Sequence, residues 1–460
     1  MSRRERIFLA ILTLIAAYFL IWPVWRAFFP MEIAPNEGWN AYHQDAAVRG
    51  VLYPPSDALI VNNYPPLSFY AIGWLGKWLG DALYVGRALS IAAVLGLGVM
   101  IALAVGRLGG GKVAAAIGGL WFVAVMAGAF NRFVGMNDPQ LVAQFVMGAA
   151  LVWFLSRDAR GLSAEPPILL MVAAGFWKHN VVVIPAATLL WLLLRDGRRA
   201  WRPIFVGVAA AGAGLALCIA IFGDVFLANL LIPRQYNWKR VFLSMGRLQW
   251  VLPALLIWAA WAWHERRTEA ARFTALLVGL GLTSYLAQWA SEAVVDNAQF
   301  DLLIAVAIGL GVAYERIGAL ASATGWNVLR LRGAIVAILV IRLLATTRYE
   351  PMLILFDPGY RATFPAHATV VRQEASRVAA IKGNVGCLNK VVCRLAGKPF
   401  AVDDFRIEQL VGTGALSEAQ LQEQYTKRGI TIVETDVRAN IESLYRDLAR
   451  DIATWRKARD

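Results

Sequence analysis

The stretch APNEGWNAYHQDAAVRG, residues 34–50, follows directly on an apolar run and sets two carboxylates, Glu37 and Asp45, among aromatics and amides. A plain connecting loop needs only polar filler, so this composition at the mouth of a first span reads as a site. Asp138 stands in NRFVGMNDPQL, and Glu292 and Asp296 stand in SEAVVDNAQFD. Asp138 precedes Pro139 at the start of a span, where an Asp also serves as a helix N-cap, and Asp296 has the same alternative. Glu37 lies too far from the next helix to cap it, and ionisable groups at membrane depth are functional candidates by default. His43 is close to both first-loop acids, although a lone loop His is more often polar surface than a metal ligand.

Cations accompany these acids: Arg132, Lys178, and the group Arg234, Lys239, Arg240 and Arg247. Snorkelling side chains or an interfacial amphipathic helix would account for them. So would a membrane-embedded anion, because Lys and Arg at a lipid interface are natural partners of a lipid phosphate. Carboxylates beside cations at that interface suit one chemistry well. Lys and Arg stabilise a departing lipid phosphate, and a carboxylate takes the proton of an incoming hydroxyl. The phosphate leaves as an anion and needs no general acid, so one base and a phosphate clamp suffice for glycosyl transfer with inversion.

The elements that must position these residues are membrane spans. The chain has 460 residues, of which 58% are hydrophobic and 18 are Trp, and a mean hydropathy of +0.54; long apolar runs of this kind mean a membrane protein. The net charge of +14 is that of Lys and Arg gathered in cytoplasmic loops. The basic residues punctuate apolar runs and form no continuous stripe, which argues against nucleic-acid binding. The first run is too long for a signal peptide and lacks a small-x-small cleavage site, so residues 7–29 read as a retained anchor. Ten further spans are placed near 84–107, 112–131, 139–156, 166–177, 180–195, 202–222, 248–264, 272–290, 299–316 and 331–346. The short pair 166–177 and 180–195 meets at Lys178, a break tolerated where it lines a cavity.

With the N-terminus inside, each inner connection is basic: Arg3, Arg4 and Arg6; Arg107 and Lys112; Arg157 and Arg160; Arg195 to Arg202; Arg266, Arg267 and Arg272; and Arg316, Arg330 and Arg332. The positive-inside rule asks for this pattern. The loop 30–83 and the tail after 346 then lie outside, with the acids and cations described above.

In sequence order come NEGWNAY, RGVLYPP, NNYPPLSFYAIGWLG, GRALSIAA, MNDPQLVAQF and GFWKHNVVVIPA. Each is weak alone, but their order and spacing together are more specific. Over residues 5–346 the layout resembles the class C (GT-C) glycosyltransferases, integral-membrane enzymes that use polyprenyl-phosphate sugars. Within these it resembles the branch of the protein O-mannosyltransferases and lipid A aminoarabinose transferases. The resemblance implies that Glu37 is the catalytic carboxylate, that Asp138 assists it or holds a metal, and that Lys178 faces the lipid phosphate. Tyr64, Pro65 and Pro66 match a segment that shapes the cavity. The family's first motif is usually an Asp-Glu pair where this chain has Asn36-Glu37, which leaves open which position holds the base, with Asp45 next in line. The aminoarabinose transferases carry a Lys where Tyr64 stands, so the phosphate clamp differs, and Arg234, Lys239 or Arg240 could complete it. Four His and three Cys show no zinc spacing. Carboxylates such as Glu37 and Asp138 could hold Mg²⁺ or Mn²⁺ with waters, and the sequence commits to no cofactor.

The tail 365–460 is polar. NVGCL, KPFAVDDF and GITIVETD read as short strands, and ATVVRQEASRVAAIK, LSEAQLQEQYTKR and NIESLYRDLARDIATWRKAR as helices, with Ser417 an N-cap. This implies a small periplasmic α/β domain, in which an oxidising compartment permits a Cys387–Cys393 disulfide; no catalytic constellation is evident there. The expectation is therefore a membrane all-α GT-C fold of about eleven spans in a bacterial inner membrane. Its site would take a polyprenyl-phosphate sugar donor and a hydroxyl acceptor on a glycan, lipid or protein. The alternative is a polytopic transporter or flippase, which should show internal repeats; none is visible.

Overall fold

A computed structural model describes residues 1–292, 294–444 and 446. The bundle begins with α1 (Arg3–Arg26), whose first turn is closed by a capping box between Ser2 and Glu5. Two helices of the first long loop follow, α2 (Pro35–Val48) and α3 (Leu67–Leu79). Next come α4 (Ala82–Arg107), α5 (Lys112–Ala129), α6 (Gln140–Asp158), α7 (Glu165–Trp177), α8 (Val183–Asp196) and α9 (Trp201–Phe222). Short α10 (Asp224–Leu230) and α11 (Trp238–Met245) lead to α12 (Leu252–His264), α13 (Glu269–Trp289), α14 (Phe300–Thr324) and α15 (Val328–Leu344).

Every one of the eleven expected segments is helical. Among the described residues seven helical runs are long and apolar enough to cross a membrane, and a pair bent by 82°, Trp238–Trp250 with Leu252–His264, makes an eighth. The difference from eleven lies in the short helices. A full span needs about 20 residues; α7 has 13 and α15 has 17, while α8 and α9 join into one run.

Helix α14 is the axis of the bundle, with every residue from Phe300 to Tyr314 buried. Lipid tails supply no hydrophobic force between helices, so close contact must come from small residues. A Cβ on Gly119 would sit 2.4 Å from the Gly98 carbonyl oxygen, and one on Gly118 would sit 2.8 Å from that of Ala307. These contacts clamp α4, α5 and α14 together. The amphipathic α3 leaves Trp74, Trp78 and Leu79 exposed, as suits a helix lying at a membrane interface.

The tail continues as α16 (Glu350–Phe356), α17 (Pro358–Ala379), β1 (Asn384–Cys387), α18 (Lys390–Leu395), α19 (Asp404–Gly412), α20 (Glu418–Lys427) and β2 (Ile430–Val433). The strands pair in parallel, from Asn384 opposite Ile430 to Cys387 opposite Val433, and the intervening helices form the crossover that a parallel pair requires. Ser417 closes α20 with a capping box to Gln420. KPFAVDDF, expected as a strand, is instead a loop running into α19. The Asp403 side chain accepts from Phe405 N and caps that helix, in keeping with the poor strand propensity of Asp and Pro. Position 365 falls inside α17, whose Phe364 packs between Trp25 and Phe29 at 6.1 and 5.2 Å. Of the last expected helix, Ile441–Leu444 is helical, and most of the remainder lies outside the described residues. Cys387 and Cys393 are disulfide-bonded, with Cα atoms 5.9 Å apart.

The tail is docked on the first loop. Glu32 accepts from the backbone N–H of Lys390 and Val391 at 3.1 and 3.3 Å. Arg394 binds Asp45 at 2.7 Å and Asp81 at 2.9 Å. Tyr42 stacks on Phe400 at 4.7 Å. Gly38 is required at the seam, since a Cβ there would lie 2.5 Å from the Cβ of Lys390. Arg394 alone bridges two acids, so Arg394→Ala should loosen this docking by about 2 kcal/mol. Limited proteolysis should then cut the tail domain faster while the bundle fragment survives.

Candidate functional site

Glu37 occupies the first turn of α2 and is fully buried. Arg87, on α4, meets it with Nε to Oε1 at 2.7 Å and Nη2 to Oε2 at 2.6 Å. The backbone N–H groups of Ile33 and Asn137 donate to the same carboxylate at 3.0 and 3.1 Å. Arg87 also donates to the carbonyls of Ala27, Phe29 and Met31. Four donors fill the four lone-pair sites of Glu37, and Glu37 does not line the cavity described below. The structure thus places the expected base in a buried node that ties the first loop to α4 and to the segment before α6. Arg87 carries no role in the sequence reading; its signal was a guanidinium near the start of an apolar span.

A cavity of about 830 Å³ opens at this end of the bundle. Its wall includes Asn36 and Trp39 of α2, Asn63 and Tyr64 of the following loop, and Lys178, His179 and Asn180 at the α7–α8 break. Arg234 and Tyr236 precede α11, Ser284 and Gln288 belong to α13, and Lys390, Asp403, Asp404, Phe405 and Glu408 come from the tail. Lys178 is buried, with Nζ 4.0 Å from the centroid of the Tyr64 ring and 3.3 Å from Asp138 Oδ1. That same Oδ1 accepts from Gln140 N at 2.8 Å, so Asp138, one residue before the Pro139 cap, both binds the first amide of α6 and holds the lysine. Its Oδ2 is buried with no hydrogen-bond partner. The helix break expected at Lys178 is real, and the unwound segment lines the cavity.

Other expected site residues lie elsewhere. His43 is buried against Trp39, with Nε2 3.1 Å from the Val61 carbonyl, and burial pushes its pKa down to about 3; it is a packed neutral imidazole outside the cavity wall. Asp45 is spent on Arg394. Lys239 is exposed. Arg240 donates to the Val294 carbonyl at 2.6 Å and lies over Trp289, and Arg247 pairs with Asp296. Of the 234–247 group, Arg234 alone lines the cavity, where it lies over the Phe405 ring at 5.9 Å. Glu37 and Asp138, the pair considered for Mg²⁺ or Mn²⁺, are committed to Arg87 and Lys178. Among the described residues no group of three His, Cys, Asp or Glu is placed to hold a metal.

The tail, read as lacking a constellation, contributes Lys390 and three carboxylates to the cavity. Lys390 Nζ binds Asp404 at 2.8 Å. Asp403 is buried; its Oδ2 accepts from Trp39 Nε1 at 3.1 Å and its Oδ1 from Phe405 N at 3.3 Å. The Asp-Asp-Phe triplet was the available signal, but nothing in the sequence says that it meets the first loop.

Glu37→Gln should destabilise the protein by about 3–5 kcal/mol, because a buried guanidinium loses its counter-charge. Glu37→Leu combined with Arg87→Met should lose less than Glu37→Leu alone; thermal unfolding in detergent checks both. A second expectation concerns pH. Burial raises Glu32 to about 8 and Asp403 to about 7, both well above the ordinary carboxylate range. The folded state then holds protons that the unfolded chain has released. The contribution is full below the unfolded carboxylate pKa and is lost as pH rises through about 7 to 8. The melting temperature should therefore fall between pH 5.5 and 9. Glu32→Gln, whose amide oxygen can keep both backbone bonds at the Oε1 position, should flatten that fall.

No family model matches the chain, and no curated protein matches it either. The solved structures similar to this chain include two of one protein. ArnT from Cupriavidus metallidurans in the apo state aligns with a TM-score of 0.59 at 14% identity, over 91% of each chain. ArnT from the same organism bound to undecaprenyl phosphate aligns with a TM-score of 0.47 at 16% identity, over 90% of this chain and 79% of that one. The likeness to the apo structure establishes the architecture: this chain has the GT-C membrane fold of ArnT.

Proposed function

We propose that the protein is a glycosyltransferase that takes a sugar from a polyprenyl-phosphate donor and passes it to a hydroxyl acceptor with inversion, at the periplasmic face of a bacterial inner membrane. One observation carries this reading. A cavity at one end of an apolar bundle holds a buried lysine and an arginine together with aromatic rings and carboxylates. Lys178 and Arg234 receive the phosphate. Asp138 keeps the lysine in place, and the Tyr64 ring lies beside its ammonium. Positive charge aimed at the bridging phosphate is worth most as the bond to the sugar breaks and charge develops there. Trp39, Tyr64 and Phe405 add aromatic surface to the wall.

The orientation proposed is supported by the basic connections Arg107 and Lys112, Arg157 and Arg160, and Arg195 to Arg202, which the positive-inside rule assigns to the cytoplasm. In this reading the N-terminus lies in the cytoplasm and the cavity, with the tail over it, in the periplasm. The acceptor is a hydroxyl on a glycan, a lipid or a protein reaching the cavity from that side.

Lys178→Ala should reduce transfer from labelled polyprenyl-phosphate sugars by about 100-fold or more and weaken polyprenyl phosphate binding, while Lys178→Arg should keep part of both. Membranes carrying equal amounts of each variant check this. A wild type that transfers sugar from none of the donors, yet moves the lipid across the bilayer, would overturn the reading in favour of transport.

A further inference from the structure

A hydroxyl attacking a sugar must lose its proton, and the groups first expected to take it are not available. Glu37 has its four lone-pair sites filled by Arg87 and two backbone N–H groups. Its neighbour Asn36 does line the cavity, but an amide cannot accept a proton at neutral pH. Asp138 sits behind Lys178 and does not line the wall. The carboxylates that reach the cavity are Asp403, Asp404 and Glu408. Asp404 is paired with Lys390 at 2.8 Å, and Glu408 is exposed. Asp403 is buried at the seam between α19 and α2, 1% exposed, and two of a carboxylate's four lone-pair sites remain open on it after Trp39 and Phe405.

We propose that Asp403, supplied by the C-terminal domain, accepts the proton of the incoming hydroxyl. The inference rests on the glycosyltransferase reading of the cavity. In the step, the acceptor oxygen forms a bond to the anomeric carbon from the face opposite the phosphate. The bond from that carbon to the phosphate oxygen breaks, and its electron pair leaves with the polyprenyl phosphate toward Lys178 and Arg234. The hydroxyl proton passes to Asp403 and is later released to water. The charged groups around Asp403 are Lys390 of α18 and Asp404 and Arg406 of α19; α2 presents only the Trp39 N–H to it. Burial raises this carboxyl to about 7, and a base works best when its pKa lies near the working pH.

Asp403→Asn tests the assignment. Asparagine keeps the shape and caps a helix well, and Trp39 Nε1 retains the Val61 carbonyl at 3.2 Å, so docking should survive. The expected result is a kcat lower by about 100-fold or more, polyprenyl phosphate affinity within about threefold of wild type, and loss of the rising limb near pH 7 in kcat/KM. Asp403→Glu, which restores a carboxylate, should recover part of the rate. Transfer by Asp403→Asn within about threefold of wild type would overturn the proposal, as would an unchanged pH limb. So would an Asp404→Asn or Glu408→Gln variant that abolishes the limb while Asp403→Asn retains it. If affinity for polyprenyl phosphate falls with the rate, Asp403 holds the domain in place and is not the base. A wild type inactive with every polyprenyl-phosphate sugar would remove the glycosyltransferase reading itself, and this assignment with it.

Discussion

A carboxylate and a guanidinium buried together, Glu37 and Arg87, set the geometry of this molecule. Neither ion could be taken out of water alone. Together they accept or donate seven short contacts, with Arg87 drawing in the carbonyls of Ala27, Phe29 and Met31 and Glu37 binding the amides of Ile33 and Asn137. The chain leaving α1, the start of α2, the N-terminal end of α4 and the segment before α6 are thereby held at one point. The cavity wall is built outward from it: Asn36 and Trp39 on α2 face the open space, and Asp138 follows Asn137 and reaches Lys178.

The second constraint is the seam between the first loop and the tail. Its contacts combine paired charge, as at Arg394 with Asp45 and Asp81, with the stacked rings of Tyr42 and Phe400. Glu32 accepts the first amides of α18, so the helix that carries Lys390 into the cavity is held by the loop beneath it. The disulfide between Cys387 and Cys393 joins the end of β1 to that same helix. The tail therefore forms one wall of the site.

This arrangement divides the chemistry between two parts of the chain. Two cations come from breaks in the bundle, Lys178 where α7 gives way to α8 and Arg234 between α10 and α11, while Lys390 of the tail is paired with Asp404. The carboxylates facing the space, Asp403, Asp404 and Glu408, come from the tail. In the reading proposed here, the bundle receives the phosphate and the domain receives the acceptor, so transfer needs both surfaces in place at once.

The sequence by itself determined the membrane class, the helical segments, the break at Lys178, and the two strands flanking the crossover. Each of these is a local matter of apolar run length, charge interruption, or a β-rich stretch bounded by Gly. It also marked Glu37 and Asp138 as unusual, because a charge beside an apolar helix stands out whatever its partner. Only the tertiary structure decided their roles. The partner of Glu37 is 50 residues away at Arg87, that of Asp45 is 349 residues away at Arg394, and Asp403 meets Trp39 across 364 residues. No local pattern encodes pairings of that range. Whether a carboxylate faces water or is sealed by four donors depends on which segments pack over it, and packing of distant segments is a property of the whole chain.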